Sequence, residues 1–288
     1  MAIIPKFFLN AVVALGVPKD NNSKQWIGTG FLMGRKEDSD ITKSTIYIIT
    51  NKHVVENQNT LLVRFNNING NGVKDLPMSL QKEYGKNYTE HPLPETDIVA
   101  IQISPKVIRD NQLELFYFDK DDHALSLKQM EDTGVSEGSL IYSLGFPMNL
   151  VGEITKAPIC RLGCISRIAD AFIQENAQKF LVDAQVFPGN SGGPIISRPE
   201  IVSIEGTETN DNANLIGILS AYIPYRDIMV SQQTGRAMMI QEENSGLTIV
   251  HPVDRIREVI ELEHNRVEGI LRQKKSLNSE ENANSEDM

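Results

Sequence analysis

The segment Phe187-Pro188-Gly189-Asn190-Ser191-Gly192-Gly193-Pro194 is the most informative stretch of this sequence. A serine flanked by glycines has an uncovered hydroxyl, and glycine permits sharp positive-φ turns that can aim several backbone N–H groups at one point. Such fixed donors form an oxyanion hole, which stabilises the charge that develops during attack on a carbonyl. The segment therefore predicts a nucleophilic serine, although Pro, Gly and Asn are also typical of an ordinary turn between strands.

The same residues also match the motif G-x-S-x-G through Gly189, Ser191 and Gly193. In the nucleophile elbow of α/β-hydrolases this motif lies between a strand and a helix, and the acid and histidine follow the serine in the chain. Here the apolar run 194–196, which is typical of a strand, follows the serine instead. The partners of Ser191 are therefore expected upstream.

The composition is that of an ordinary globular protein, and 288 residues suffice for one large β domain or two smaller ones. A net charge of −10 argues against nucleic acid as a partner, because nucleic-acid-binding proteins usually carry a basic face. No stretch approaches the about 18 to 20 consecutive apolar residues that a membrane helix needs. Neither nucleic acid nor a membrane is therefore expected as a partner.

The two cysteines and the N-terminal segment bear on localisation. Cys160 and Cys164 lie in a predicted strand, where residues four apart are separated by about 13 Å, so a disulfide would need a tight reversal. Two free thiols in a reducing compartment are expected. The run 7–16 is a weak signal-peptide candidate, because its positive region is one lysine and cleavage would remove a good first strand. The protein is therefore predicted to be cytoplasmic.

Short runs of β-forming residues recur between clusters of Gly, Pro, Asn and Asp, which is typical of an all-β sandwich or barrel. Polar sequence over 104–135 separates two sets of such runs, and helical spacing of apolar residues after Pro252 predicts a terminal helix. The tail from residue 274 is polar and is predicted to be disordered. The predicted strands are 8–15, 26–33, 45–50, 61–65 and 97–103, then 139–144, 159–168, 180–186, 193–197, 215–222 and 247–250.

A histidine and an acid precede Ser191 at the ends of predicted strands. His53 follows the run 45–50, and Asp97 begins the run 97–103. Taken alone, His53 is typical of a surface position and Asp97 of a turn or cap. Together with Ser191 they follow the order His, Asp, Ser, which is one of the chain orders found in hydrolytic triads.

With these residues in this order, the chain resembles chymotrypsin-fold serine peptidases, in particular the bacterial trypsin-like and HtrA-like enzymes. The resemblance covers about residues 7 to 260. It implies an all-β fold of two perpendicular antiparallel β-barrels with a C-terminal α-helix. The segments that carry it are Gly28-Thr29-Gly30-Phe31, Thr50-Asn51, His53-Val54-Val55, Asp97-Ile98-Val99-Ala100, Gly189 to Pro194, Ser220-Ala221-Tyr222 and the run 246–253.

The resemblance also implies a division of the chain. The N-terminal β-barrel is expected over residues 1–105, an inter-barrel connection over 106–135 and the C-terminal β-barrel over 136–250. The terminal helix is expected over 251–273 and a disordered acidic tail over 274–288.

The roles that the resemblance implies place the site in the cleft between the barrels. His53 would remove the Ser191 proton and then protonate the leaving amine, while Asp97 would hold the imidazole tautomer. The backbone N–H groups of Gly189 and Ser191 would bind the oxyanion. No metal or cofactor is expected.

Two departures from the family concern activation. Secreted trypsins have an acid immediately before the serine, which pairs with a new N-terminal ammonium after cleavage, but this chain has Asn190 and lacks an Ile-Val-Gly-Gly start. A neutral amide cannot form that ion pair, so control by loop order or by an activating protein partner is expected instead of zymogen cleavage. No PDZ domain is expected after the helix, in contrast to HtrA proteins.

The substrate-binding residues implied by the resemblance are Gln185, Ser220, Ala221 and Tyr222. Gln185 matches the base of the specificity pocket, and without a carboxylate there a strong preference for Lys or Arg has no electrostatic reason. Tyr222 matches a pocket wall and would narrow the pocket. A small or medium apolar residue is therefore expected at P1, the substrate residue before the scissile bond.

The predicted function is a serine endopeptidase that cleaves proteins or peptides through an acyl-enzyme. A catalytically silent protease fold that binds peptides or acts as a scaffold is the main alternative, since a fold does not guarantee a function. A serine esterase is the second. The remaining histidines lack metal-ligand spacing and are predicted to be surface or structural residues: His91, His123, His251 and His264.

Overall fold

Two antiparallel β units, one from each half of the chain, pack beside a long C-terminal helix. The structure is a computed structural model that describes residues 4–20, 23–70, 72–82, 85–200, 209 and 211–286. The helices are α1 (Lys6–Ala11), α2 (Lys52–Val55), α3 (Pro105–Asp110), α4 (Leu127–Asp132), α5 (Ala169–Ile173) and α6 (Val253–Glu286). The strands are β1 (Val12–Pro18), β2 (Lys24–Glu37), β3 (Asp40–Thr50), β4 (Thr60–Asn66), β5 (Val73–Ser79), β6 (Gln81–Lys82), β7 (Gly85–Lys86), β8 (Thr89–Glu90), β9 (Val99–Ile103), β10 (Phe118–Asp119), β11 (Leu140–Gly145), β12 (Ile159–Arg167), β13 (Phe180–Asp183), β14 (Pro194–Ser197), β15 (Asn214–Val230) and β16 (Ala237–Pro252).

The N-terminal unit is a sheet with the strand order β5-β4-β1-β2-β3-β9-β8. Its own core contains Leu15, Ile48, Val63, Phe65 and Ile101, all fully buried. Strand β10, from the segment between the two units, adds to β2 in parallel. The predicted connection 106–135 is therefore partly integrated into this sheet.

The C-terminal unit is a closed barrel with the order β11-β12-β13-β16-β15-β14. Its core includes Ile141, Ile165, Val182, Ile195 and Ile216. A closed six-stranded barrel, a second antiparallel sheet and a C-terminal helix confirm the all-β class predicted from the sequence.

A third hydrophobic cluster joins the two units to α1 and α6. Phe8 of α1 packs against Phe118 with ring centroids 4.7 Å apart, and Phe118 in turn meets Phe31 of β2 at 5.7 Å. Helix α6 contributes Val253, Ile256, Val259 and Ile260. Each such aliphatic side chain stabilises the fold by about 1.5 to 3 kcal/mol when fully buried, so this cluster holds the two halves together.

The two ends of the chain differ from the prediction. The predicted strand 8–15 begins only at Val12, because residues 6–11 form helix α1 after Pro5 and bury Phe8 and Ala11, three positions apart, on one face. The C-terminal helix extends to Glu286, through most of the segment 274–288 that was predicted to be disordered. The segment continues a long helix that is already formed, and adding residues to an existing helix gains one backbone hydrogen bond each without a new nucleation step.

Strands β15 and β16 are much longer than the predicted 215–222 and 247–250. They remain paired as far as Val230 and Ala237, and beyond the barrel they form a two-stranded ribbon. Pro224 argues against a continuous strand, but here it lies where the strand register shifts. The ribbon exposes the apolar side chains Tyr225, Ile228, Met229, Val230, Met238, Met239 and Ile240.

Candidate active site

Ser191 lies in the loop between β13 and β14. Strand β2 of the N-terminal unit holds this loop in place. The Ser191 carbonyl accepts a hydrogen bond of 2.9 Å from the N–H of Thr29 on β2. Gly192 has φ +85°, and a Cβ atom there would lie 2.1 Å from the Thr29 carbonyl oxygen. Only glycine therefore allows the turn to approach β2 this closely.

His53 and Asp97 meet because β3 and β9 are paired and each residue lies near a strand end. Thr50 is opposite Val99 in that pair, His53 lies in α2 just after β3, and Asp97 precedes β9 by two residues. Asp97 Oδ2 lies 2.6 Å from His53 Nδ1, and Asp97 Oδ1 accepts the His53 backbone N–H at 3.1 Å. A carboxylate can only accept, so Nδ1 carries the proton and Nε2 has a free lone pair.

The environment of Asp97 favours its ionised form. Burial opposes ionisation, but hydrogen bonds from the His53 ring, the His53 backbone N–H and Ser220 outweigh burial and hold the pKa of Asp97 below its usual value. Ser220 Oγ donates to Oδ2 at 3.0 Å. Asp97 is therefore an anion at neutral pH and can stabilise a positive charge on His53.

His251 supports the backbone of Asp97, a role that the sequence did not predict beyond a surface or structural one. It is 1% exposed, its Nε2 accepts the Asp97 N–H at 3.2 Å, and its Nδ1–H donates to the Gln178 carbonyl at 2.7 Å. Burial lowers the pKa of His251, which keeps it in this neutral tautomer. No local motif announces this contact, because it depends on where β16 ends relative to β9.

Ser220 links Ser191 to the His53–Asp97 pair through two hydrogen bonds. Ser191 Oγ donates a long hydrogen bond of 3.4 Å to the Ser220 carbonyl, while the Ser220 hydroxyl binds Asp97. Within the described residues no hydrogen bond joins Ser191 to His53. Such bonds are often long or misaligned in unliganded enzymes and tighten when substrate binds, so the arrangement is compatible with a triad.

The two predicted oxyanion donors are available. Neither the Gly189 N–H nor the Ser191 N–H donates to any acceptor in the described parts of the chain, whereas the Asn190 N–H between them binds the Phe187 carbonyl at 3.0 Å. Gly189 is buried with φ +98°. An unpaired N–H at a buried residue such as Gly189 is rare in folded proteins. Here the two unpaired N–H groups belong to the residues on either side of Asn190, and one of them is the Ser191 N–H itself.

The predicted substrate-binding residues lie on two segments of the C-terminal barrel. Ala221 and Tyr222 are exposed on β15, whose pairing with β14 ends at Ile218. Gln185 is also exposed and accepts a hydrogen bond of 3.3 Å from Arg161 Nη2. The chain thus offers a free strand edge beside Ser191, together with a cationic neighbour of Gln185 that the sequence did not reveal.

Both cysteines are free thiols, as predicted. They lie along one strand, where Cys160 is opposite Leu144 and Cys164 is opposite Leu140. An extended strand separates their sulfur atoms too far for a disulfide.

Comparison with known proteins agrees with this architecture. Residues 28–200 match the family described as trypsin-like peptidase domain, which is more than half of the chain, and the protein belongs to that family. Together with the barrel, the second sheet and the terminal helix, this membership identifies the predicted chymotrypsin-like serine protease fold. A solved structure described as human heparin binding protein is similar at 10% sequence identity and a TM-score of 0.48, over 90% of this chain and 93% of that chain. No curated protein sequence shows a significant match.

Proposed function

We propose that this protein is a serine endopeptidase with His53, Asp97 and Ser191 as its catalytic triad. The observation that carries the proposal is the paired carboxylate: Asp97 binds both the ring and the backbone of His53, which leaves Nε2 free to act as a base. Ser220 links Ser191 to the same pair. His53 Nε2 takes the Ser191 proton as Oγ attacks the peptide carbonyl, and the N–H groups of Gly189 and Ser191 bind the resulting oxyanion. His53 then protonates the leaving amine, and water hydrolyses the acyl-enzyme by the same route.

A protein or peptide substrate suits the exposed edge of β15. An extended peptide can add to a free strand edge through main-chain hydrogen bonds, while neighbouring pockets select its side chains. Ser220, Ala221 and Tyr222 supply this edge beside Ser191. The substrate class is therefore polypeptide, and the reaction needs no metal or cofactor.

Two other functions are separable by experiment. A silent protease fold that binds peptides would not need an aligned His53–Asp97 pair beside a serine. A serine esterase would use the same residues but not the peptide-binding edge. The test compares hydrolysis of peptide and simple ester substrates by the purified protein and by its Ser191→Ala variant, and ester turnover without peptide turnover would favour the esterase.

We expect Tyr222 to limit the size of the P1 side chain. Tyr222→Gly should raise kcat/KM for substrates with large P1 residues relative to small ones, because the change removes a large ring that is 38% exposed on β15. Profiling of both proteins with a P1-diverse peptide library measures this, and an unchanged profile would contradict the placement of Tyr222 at the pocket.

Arg161, which donates a hydrogen bond to Gln185, leads to a related expectation for the base of the specificity pocket. A carboxylate introduced by Gln185→Asp would have Arg161 as an ion-pair partner nearby. It should therefore produce only a weak preference for Lys or Arg at P1, in contrast to trypsins that have an unpaired acid there.

Asn190 supports control by loop order or a protein partner in place of zymogen cleavage. Its side chain is 5% exposed, and Nδ2 has no hydrogen-bond partner among the described residues. An unsatisfied buried amide costs about 1 to 3 kcal/mol, which weakens the ordered loop relative to a disordered one. A partner that binds the ordered loop better than the disordered one would activate the enzyme by shifting this equilibrium.

Asn190→Asp tests this control. A carboxylate at this buried position loses its hydration, so kcat should fall by about tenfold or more at pH 8. Acidification that protonates the carboxyl group should restore part of the loss, whereas Asn190→Ser should show no such pH dependence. Full activity of the purified wild-type protein alone, or activity that appears only after N-terminal cleavage, would contradict control by loop order.

A cytoplasmic location, where an activating protein partner would meet the enzyme, fits the two thiols and the position of strand β1. Two free thiols are typical of a reducing compartment. Strand β1, which a signal peptidase would largely remove with the run 7–16, lies in the centre of the N-terminal sheet between β4 and β2. No helix in the described ranges is long and apolar enough to cross a membrane.

A further inference from the structure

The hydroxyl of Thr29 connects the N-terminal sheet to the loop that carries the oxyanion donors. Thr29 lies on β2 and is completely buried. Its Oγ1–H donates to the Gly189 carbonyl at 2.6 Å, and Oγ1 accepts the N–H of Phe146 at 3.1 Å. One hydroxyl therefore binds both the oxyanion loop and the turn that follows β11, as donor to the first and acceptor from the second.

A further hydrogen bond joins the turn after β11 to the loop that carries Gly189. The Met148 N–H donates to the Pro188 carbonyl at 2.7 Å. Because a trans peptide is planar with its C=O and N–H groups opposed, a fixed Pro188 carbonyl also fixes the direction of the Gly189 N–H. Gly189 itself has no room to move toward the turn, since a Cβ atom there would lie 2.3 Å from the Phe146 carbonyl oxygen.

Two consecutive non-glycine residues of this turn have left-handed backbone conformations. Met148 and Asn149 have φ values of 53° and 59°, and such left-handed conformations are uncommon outside glycine. Residues held in this region persist where the surrounding structure determines them. Here the conformation aims the Met148 N–H at the peptide that carries the oxyanion donor.

We propose that Thr29 is a positioning residue for the oxyanion hole. Its hydroxyl holds the Gly189 carbonyl directly and, through the Phe146 N–H, the turn whose Met148 N–H fixes the Pro188 carbonyl, so that the Gly189 N–H stays free for substrate. This inference rests on the proposed peptidase function and adds a residue of the N-terminal sheet to the machinery of the C-terminal barrel. Only a side chain that both donates and accepts can make the two contacts. Serine preserves both, whereas valine has the shape of threonine but makes neither.

The experiment compares Thr29→Val, Thr29→Ser and, as a matched control, Thr42→Val at an exposed threonine of β3. Loss of one oxyanion donor lowers kcat by about a hundredfold, so Thr29→Val should lower kcat by about 10- to 100-fold and change KM by less than about threefold. Thr29→Ser should recover most of this loss. A peptide aldehyde, whose hemiacetal oxygen occupies the oxyanion hole, should bind Thr29→Val more weakly by a similar factor.

A measurement on the wild-type protein keeps the inference testable if Thr29→Val does not fold. Hydrogen exchange should find the amides of Phe146 and Met148 protected, because both donate within this set of contacts. Rapid exchange at both amides would overturn the inference, as would equal kcat and equal aldehyde affinity in Thr29→Val and Thr29→Ser. If the wild-type protein neither cleaves peptides nor reacts with a fluorophosphonate when any required partner is present, the proposed peptidase function fails, and the exchange data still decide whether the contacts exist.

Discussion

Ser191→Ala should abolish covalent labelling by a fluorophosphonate and lower peptide hydrolysis by a factor of about 10⁴ or more, as loss of the nucleophile does in serine proteases of this mechanism. The expected loss is large because no other described hydroxyl has both the His53–Asp97 pair and two unpaired N–H groups beside it. The fold should remain intact. Among the described residues, the only hydrogen bond lost is the 3.4 Å contact to the Ser220 carbonyl, and a good hydrogen bond contributes only about 0.5 to 1.5 kcal/mol.

The control for this variant is Ser23→Ala, at an exposed serine in the turn between β1 and β2. It should keep full activity and full labelling. Peptide turnover by Ser191→Ala within about tenfold of the wild-type rate would show that another group is the nucleophile, because the oxyanion hole and substrate binding alone leave only a small residual activity.

Asp97→Asn should lower kcat by about 10⁴, the magnitude found for the equivalent change in a chymotrypsin-type protease. The reason is the tautomer of His53. A carboxylate accepts the Nδ1 proton and leaves Nε2 as the base, whereas an amide N–H aimed at Nδ1 moves the proton to Nε2, which then cannot accept the Ser191 proton. Measurement of kcat for both proteins, with folding checked by circular dichroism, tests this expectation.

The backbone around Asp97 should survive the substitution. The Asp97 N–H and carbonyl are held by His251 and Asn51 through contacts that do not involve the carboxyl group. A loss in kcat below about tenfold would therefore indicate that a different acid orients His53, and could not be attributed to collapse of the site.

The sequence predicted those parts of the site that depend on chain order. His53, Asp97 and Ser191 each follow or precede a strongly β-forming run, and pairing of those runs is enough to bring the first two together. Gly189 and Gly192 were recognisable because their backbone conformations require glycine. Residues whose role follows from local backbone geometry are therefore visible in one sequence.

The residues that support the site were not predictable, because their contacts join distant parts of the chain. Thr29 contacts Gly189 across 160 positions, and His251 contacts Asp97 across 154. Lys156, outside the site, was unpredictable for the same reason. Its ammonium group is buried against the carbonyls of Asn10 and Val12, and burial lowers the pKa of Lys156 to about 7. No pattern near these residues distinguishes them from ordinary strand or loop positions.

Errors in the predicted elements have a different origin. The N-terminal apolar run satisfies both helical and strand periodicity over its first residues, and packing of Phe8 and Ala11 against the shared core selects the helix. Tertiary contacts decide such ambiguous runs.

The most direct test of the account is the reaction of the purified wild-type protein with a fluorophosphonate, followed by mass-spectrometric mapping of the modified peptide. We predict a single adduct on Ser191 that disappears in Ser191→Ala and is strongly slowed in Asp97→Asn. Absence of any adduct under conditions in which the protein is folded and any required partner is present, or an adduct at a different residue, would contradict the assignment of this chain as a serine peptidase that uses Ser191.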